Sequence, residues 1–504
     1  MDARRAEDGR VDRAIWVVVA AKLFVQLAYA NGYGWFRDEL YYLACARRLA
    51  WGYVDHPPFS IALLKLETAI FGESRFAVRL APAIAGALLV WLAARIAREM
   101  GGARVAQVIA AVAVLACPEY LALDHFYSMN ALELVLWAGA ACVVARVLRG
   151  GATRRAWIAL GVVLGLGMLN KTSVLWLVGG IAVGLVATKE RRLLASAGPW
   201  IALAIMTAIF APHVAWQIEN GWPTREWMKM AMEHKMIAVS PLAFLSAQVL
   251  DMNPLSAPLW IAGLAALLAW RPLERWRALG VAYVAVLALL LASQRVRPGY
   301  LAPAYPMLFA AGGVVAERVA RWIAAAYGAA LVASGAAIAP LALPILPAPT
   351  YVAYARALGQ TPSTTEKKEM GVLPQFFADM FGWEELAAAV EKAAATLAPD
   401  ERRDAVVFAG NYGEAGALEK FGSVPVVCGH NNYWLWGAHG ASGRVVILVG
   451  ADEGAILERY DRADYVTTFE HPYVMPYENH LKIFVARDRK EPLAPSWSKL
   501  KHYD

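Results

Sequence analysis

Arg37-Asp38-Glu39-Leu40-Tyr41-Tyr42 places two adjacent carboxylates directly after an apolar run. Charges at such a boundary have two ordinary uses. Asp38 can cap the helix that follows, or one carboxylate can face a cleft as a general base whose pKa is set by burial and neighbouring charge. Further along, Asp55-His56-Pro57-Pro58 offers a carboxylate and an imidazole just ahead of a helix start. That pair can bind a divalent metal or a sugar hydroxyl, although two donors are an incomplete metal set. Asp124-His125 interrupts the apolar flow again, and a carboxylate at the end of a span is a functional candidate.

The complementary charges are equally placed. Lys171, in Leu169-Asn170-Lys171-Thr172-Ser173, sits between two apolar runs with almost no connection, a position that suits a phosphate near the headgroup layer. With Gly165 it imitates a nucleotide-binding loop only superficially, because Asn170 stands where the second glycine is required. Gly161 and Gly165 read instead as a small-xxx-small helix contact. Arg295-Val296-Arg297-Pro298-Gly299-Tyr300 supplies a guanidinium pair that can grip phosphate oxygens or lipid headgroups. Asp38, Glu39, Asp55, His56, Asp124, Lys171, Arg295 and Arg297 all fall on one side of the apolar runs, which implies transfer chemistry on a phosphorylated lipid. Cys45, Cys117, Cys142 and Cys428 form no CxxC pair and read as packing residues, with a Cys45–Cys428 bridge left open.

The elements that must position these residues are mostly membrane spans. Of 504 residues, 59% are hydrophobic and 18% charged, which excludes an ordinary soluble enzyme. Apolar runs of span length occur near 14–30, 76–97, 104–121, 129–148, 156–170, 173–188, 197–217, 254–270, 278–293, 301–317 and 322–342, eleven in all. The first could end in a signal-peptide cleavage site at Ala28-Tyr29-Ala30; an uncleaved span fits the many spans that follow better. Alternate connectors carry arginine clusters such as Arg146, Arg149, Arg154 and Arg155, so these connectors and the N-terminus are expected in the cytoplasm. The net charge of +7 is thus a topology signal rather than a nucleic-acid footprint. Between the first two spans, 40–51 and 59–71 are too short to cross and read as interfacial helices, with Arg47 snorkelling in the first. Residues 242–253 read as a partly inserted helix before Pro254.

From about Tyr351 charges become frequent, and short β-rich runs at 405–408 and 445–449 alternate with helical stretches such as 383–397. The division is therefore a membrane domain over 1–349 and a small soluble α/β domain over 350–504, joined by a proline-rich connector.

These motifs resemble the GT-C fold glycosyltransferases, in particular bacterial glycosyltransferase family 39, akin to protein O-mannosyltransferases and the lipid A aminoarabinose transferase. The resemblance rests on Asp38-Glu39, the Asp55-His56-Pro57-Pro58 turn, Asp124, Lys171 and the Arg297-Pro298-Gly299-Tyr300-Leu301 segment, and extends to Asn411-Tyr412-Gly413-Glu414 and Gly429-His430-Asn431-Asn432 in the tail. It implies a multi-pass protein of the bacterial inner membrane with a periplasmic C-terminal domain. It further implies inverting transfer of a sugar from a polyprenyl-phosphate donor to a lipid, glycan or protein hydroxyl. Asp38 then matches the catalytic base, Asp124 a second acidic residue, and Lys171, Arg295, Arg297 and Tyr300 the donor-phosphate site. Relatives often carry Glu-Lys-Pro-Pro where this chain has Asp55-His56-Pro57-Pro58, so a divalent metal at Asp55 and His56 is an open expectation. An oligosaccharide-transferring member of the fold and a polyprenyl-lipid transporter are the alternatives; a transporter calls for polar residues near mid-span and paired repeats.

Overall fold

A computed structural model describes residues 12–362, 364 and 366–503. Helices dominate the first 350 residues. Among the described residues, six helices are long and apolar enough to cross a membrane: Arg75–Glu99, Met129–Leu148, Ala197–Glu219, Arg271–Ser293, Pro298–Ala316 and Arg321–Ala342. A seventh span is possible in the pair Pro241–Asp251 and Pro254–Ala269, bent by 95°. Of the eleven expected spans, six or seven are thus identified among the described residues by helix length and composition. The other four runs also form helices, but α1 (Ile15–Ala28), Arg104–Leu115, Arg154–Asn170 and Val174–Val186 have 14, 12, 17 and 13 residues, fewer than the roughly 20 of an ordinary bilayer span. The bend after Asp251 follows from Asn253, which adopts φ 71°, and from Pro254, which cannot continue the preceding helix.

The two short pieces of the first loop separate in character. Helix α3 (Phe59–Phe71) leaves Leu66, Ile70 and Phe71 exposed, as an interfacial helix requires. Helix α2 (Arg37–Arg47) is buried from Glu39 to Ala46, so its expected lipid-facing surface is absent. Arg47 pairs with Glu73 at 2.8 Å instead of snorkelling.

What buries α2 is the C-terminal domain. Its sheet comprises β1 (Val406–Ala409), β2 (Val426–Cys428), β3 (Val445–Val449), β4 (Tyr460–Phe469) and β5 (Leu481–Arg489), in the order β2-β1-β3-β5-β4. Strand β1 is parallel to β2 and β3, while β5 is antiparallel to β3 and β4. The parallel strands are continuous apolar runs because both faces are covered. Edge strand β4 carries Asp461, Arg462 and Asp464, which discourage pairing with another chain.

Leu40, Tyr41, Leu43 and Cys45 of α2 share one apolar core with Leu386, Val407, Ile447 and Val485 of the C-terminal domain. The 350–504 region is thus packed on the first loop rather than held by its proline connector alone. Cys45 and Cys428 both lie in this core as free thiols, so the open disulfide is not formed. The helix Tyr412–Phe421 crosses α2 at two glycines: a Cβ on Gly416 would stand 2.8 Å from the Leu40 carbonyl carbon, and one on Gly413 2.4 Å from Arg37 Cγ. Backbone at Leu40 cannot swing aside as a side chain can. Gly416→Val is expected to destabilise the protein by about 1–3 kcal/mol through overpacking, read as a lower midpoint in thermal unfolding; an unchanged midpoint would contradict this contact.

Candidate active site

Local sequence decides which of the two adjacent carboxylates points outward. At the third position of α2, Glu39 reaches back so that its Oε2 accepts the Phe36 N–H at 2.9 Å, satisfying a donor left free at the helix start. Glu39 therefore does the capping that Asp38 could have done. Its carboxylate also accepts Arg79 Nε and Nη2 at 2.8 and 2.9 Å and the Tyr127 N–H at 3.0 Å, fully buried. The expectation that Glu39 is catalytic is corrected: every lobe is committed to bracing α2. Asp38, one position earlier, keeps about 31% of its side chain exposed at the mouth of the domain interface. Its Oδ1 accepts the Tyr412 hydroxyl at 3.0 Å, and Arg37 Nε lies 3.8 Å away.

Arg37 is held from the C-terminal domain. It donates to the Tyr477 hydroxyl at 2.7 Å, lies 3.5 Å from Asp379 Oδ2 and stacks its guanidinium over the Tyr412 ring at 5.2 Å. Burial pushes the Asp379 carboxyl up to about 6 against the pull of Arg37. Behind Tyr412, burial likewise raises Glu414 and Glu478, two adjacent carboxyls that share the Asn411 amide.

This buried acid pair sets a pH dependence. A carboxyl raised in the folded state contributes stability that is complete below its unfolded pKa and is lost as pH rises through its folded value. The window runs from about 4 to about 7 for Glu414. The thermal midpoint is therefore expected to fall between about pH 4 and about pH 7, and Glu414→Gln, a neutral isostere, to shrink that fall; an equal fall in the variant would remove the pair as its source.

On the other side of Asp38, Asp55 accepts the Tyr41 hydroxyl at 3.0 Å. Burial raises the Asp55 carboxyl, His56 and Tyr41 oppose the shift, and the Asp38 charge adds to it, so the two carboxylates share a neighbourhood. His56 is enclosed by the Tyr42 and Tyr53 rings, with centroids at 4.7 and 4.8 Å. Its Nδ1 contacts the Pro57 carbonyl at 3.1 Å, and its buried Nε2 lies 3.8 Å from Asp55 without a hydrogen bond. Among the described residues no group of three or more His, Cys, Asp or Glu side chains gathers around this pair. Asp55 and His56 supply two donors, fewer than the three protein ligands of an ordinary catalytic metal site.

The cations divide into two sets joined by Arg297. Arg297 pairs with Glu366, and Lys235 lies 3.9 Å from the same carboxylate. Burial lowers the Lys235 ammonium, Arg37 and Arg297 add to that, and Glu366 and Asp38 oppose it; these five charges face one another across the domain interface. Despite its burial, Glu366 is held below the usual carboxylate range by Lys235, Arg297 and Arg37. The second set surrounds Lys171, which donates to Asn130 Oδ1 at 2.8 Å and Glu133 Oε2 at 2.7 Å and sits 4.9 Å over the Tyr300 ring. Arg295 stands outside both. It is exposed and spends its guanidinium on the Met232 carbonyl at 3.0 Å. Asp124 is likewise apart, fully buried against Lys22 Nζ of α1 at 2.8 Å, where it ties two helices and faces no cleft.

Tyr412, Lys235, Glu366, Asp379 and Glu133 join the expected residues at these clusters. Glu133 was open to discovery as a carboxylate inside an apolar span. Lys235 and Glu366 lie 131 positions apart and meet through an antiparallel bridge between Met236 and Glu366, which no local pattern announces.

The family model described as dolichyl-phosphate-mannose-protein mannosyltransferase matches residues 55–216. An undecaprenyl phosphate-α-4-amino-4-deoxy-L-arabinose arabinosyl transferase from Pseudomonas aeruginosa (strain UCBPP-PA14) is 28% identical over 184 residues, a match spanning 33% of each protein. Among solved structures, the chain is similar to ArnT from Cupriavidus metallidurans bound to undecaprenyl phosphate. The TM-score is 0.63 at 16% identity, covering 94% of this chain and 97% of that one. The archaeal oligosaccharyltransferase AglB from Archaeoglobus fulgidus, in complex with an inhibitory peptide and a dolichol-phosphate, gives a TM-score of 0.51 at 13% identity. That alignment covers 86% of this chain and 69% of AglB. The architecture is the GT-C fold of membrane glycosyltransferases, as the sequence resemblance implied.

Proposed function

We propose that this GT-C fold membrane protein is an inverting glycosyltransferase that moves a sugar from a polyprenyl-phosphate carrier to an acceptor hydroxyl at the periplasmic face of the bacterial inner membrane. The observation that carries the reading is Asp38: a carboxylate at the mouth of the interface, anchored by Tyr412, with Arg37, Lys235 and Arg297 acting on the same space. A general base and phosphate-gripping cations are the two halves of such a transfer.

In the proposed step, Asp38 takes the proton of the acceptor hydroxyl as the acceptor oxygen bonds to the anomeric carbon. The bond from that carbon to the phosphate oxygen breaks, and the carrier phosphate leaves with the electron pair. Arg297 and Lys171 stabilise the charge that develops on it, an electrostatic contribution worth several kcal/mol in a water-poor site. Both cations already hold internal carboxylates, Glu366 and Glu133, so phosphate entry displaces or joins these partners. Tyr300 steadies Lys171 through its ring, and Asp55 and His56 orient a sugar hydroxyl. No step is assigned to a metal.

The test is sugar transfer by the purified full chain, supplied with a panel of polyprenyl-phosphate sugars and membrane extracts and followed by mass spectrometry of products. A product carrying the donor sugar with inverted anomeric configuration is expected. Retention of configuration would overturn the single-displacement step, and hydrolysis or carrier translocation without transfer would overturn the transferase reading.

A further inference from the structure

Away from Asp38, an open cavity of ≈ 410 Å³ is lined by the cations Lys189, Arg271, Arg275 and Arg277, the carboxylates Glu190 and Glu274, and Trp276. It lies at the feet of helices whose other ends reach the candidate active site. The helix Arg277–Ser293 starts in the cavity and ends just before Arg295 and Arg297; its 17 residues span about 25 Å. The helix Val174–Val186 starts just after Lys171 and ends just before Thr188, another wall residue. The helix Arg277–Ser293, part of the span Arg271–Ser293, thus sets the cavity about 25 Å from the Arg297 cluster, at the opposite headgroup layer.

The walls are cationic and only partly neutralised. Lys189 Nζ pairs with Glu274 Oε1 at 2.7 Å. Arg275 donates to the Arg149 carbonyl at 3.0 Å, which fixes its guanidinium at the rim. Arg277 Nε is buried without a hydrogen-bond partner, an arrangement that a bound anion would complete. Trp276 forms a rigid floor, its Nε1 donating to the Ala145 carbonyl at 2.9 Å. Four cations outnumber the two wall carboxylates, Glu190 and Glu274, and Glu190 is engaged by Arg192 at 3.4 Å; a cationic excess placed between helix ends at headgroup level matches the chemistry of a phosphodiester.

We propose that this cavity is a binding site for the phosphodiester headgroup of an anionic phospholipid in the leaflet opposite the candidate active site. Lipid chains lie along the exposed apolar side chains Val183 and Val186 while the guanidinium groups of Arg271 and Arg277 receive the phosphate. The proposal is independent of the role of Asp38.

The test is native mass spectrometry of the full chain in detergent, titrated separately with phosphatidylglycerol, phosphatidylcholine and inorganic phosphate. Retention of phosphatidylglycerol is expected, with about tenfold weaker retention in the double variant Arg271→Gln/Arg277→Gln and unchanged retention in Asp38→Asn. Glu274→Gln removes one of the two wall carboxylates and frees Lys189, so several-fold tighter retention is expected, a gain that a misfolded variant cannot mimic. Equal retention of phosphatidylcholine, no response to Glu274→Gln, or displacement of the lipid by millimolar inorganic phosphate would each overturn the lipid site.

Discussion

Asp38→Asn is expected to lower sugar transfer at least about 100-fold, the contribution of a positioned general base, while leaving donor binding near its original level. The asparagine keeps the size of the side chain and an oxygen to accept the Tyr412 hydroxyl, so the packing of α2 on the Tyr412–Phe421 helix is preserved. What it removes is the site that receives the acceptor proton. The measurement is turnover under saturating donor together with a separate donor-binding isotherm. Near-normal turnover would take Asp38 out of the mechanism. Loss of donor binding in step with turnover would make it a binding residue.

The largest effect on stability is expected from Arg79. Its guanidinium is 1% exposed, grips Glu39 with two nitrogens and donates to the carbonyls of Ala30, Gly32 and Gly34. Arg79→Met fills much of the same volume but leaves the Glu39 carboxylate buried without its counter-charge. Removing one member of such a pair costs about 3–5 kcal/mol. Replacing both members, Arg79→Met with Glu39→Gln, is expected to recover part of that loss. A double-mutant cycle of chemical or thermal unfolding in detergent checks both, and simple additivity of the two substitutions would contradict the brace.

Much of the fold was readable because the bilayer imposes length and charge rules that leave marks on single segments. Met129–Leu148 and Arg321–Ala342 lie within a residue of their apolar runs, and β3 coincides with its β-branched run. The apolar runs and the helices differ where composition and helix length part company. Residues 104–121 are apolar apart from Arg104, Gln107 and Glu119, yet Pro118 opens a new helix and divides the run. Helix α2 was misread because amphipathicity reports an apolar face without naming what covers it, and here a domain more than 300 positions downstream does so. The site shows the same division. Asp38, Asp55 and Arg297 announced themselves by type and position, whereas the commitment of Glu39 to Arg79 and of Asp124 to Lys22 is a tertiary fact. Adjacent carboxylates look equivalent in a sequence, and only the turn of the helix tells the braced one from the free one.

The glycine crossing between α2 and the Tyr412–Phe421 helix limits how this molecule can be recombined. Asp38 takes its position against the tail from a contact less than a side chain thick. A chimaera that kept residues 1–349 and imported the tail of a distant relative would conserve every charged residue in the membrane half and still misplace its carboxylate, unless the graft carried small residues at 413 and 416. Tail and first loop therefore form a single inheritable unit, and sequence drift at those two positions is constrained by the geometry of a helix in the other half of the chain.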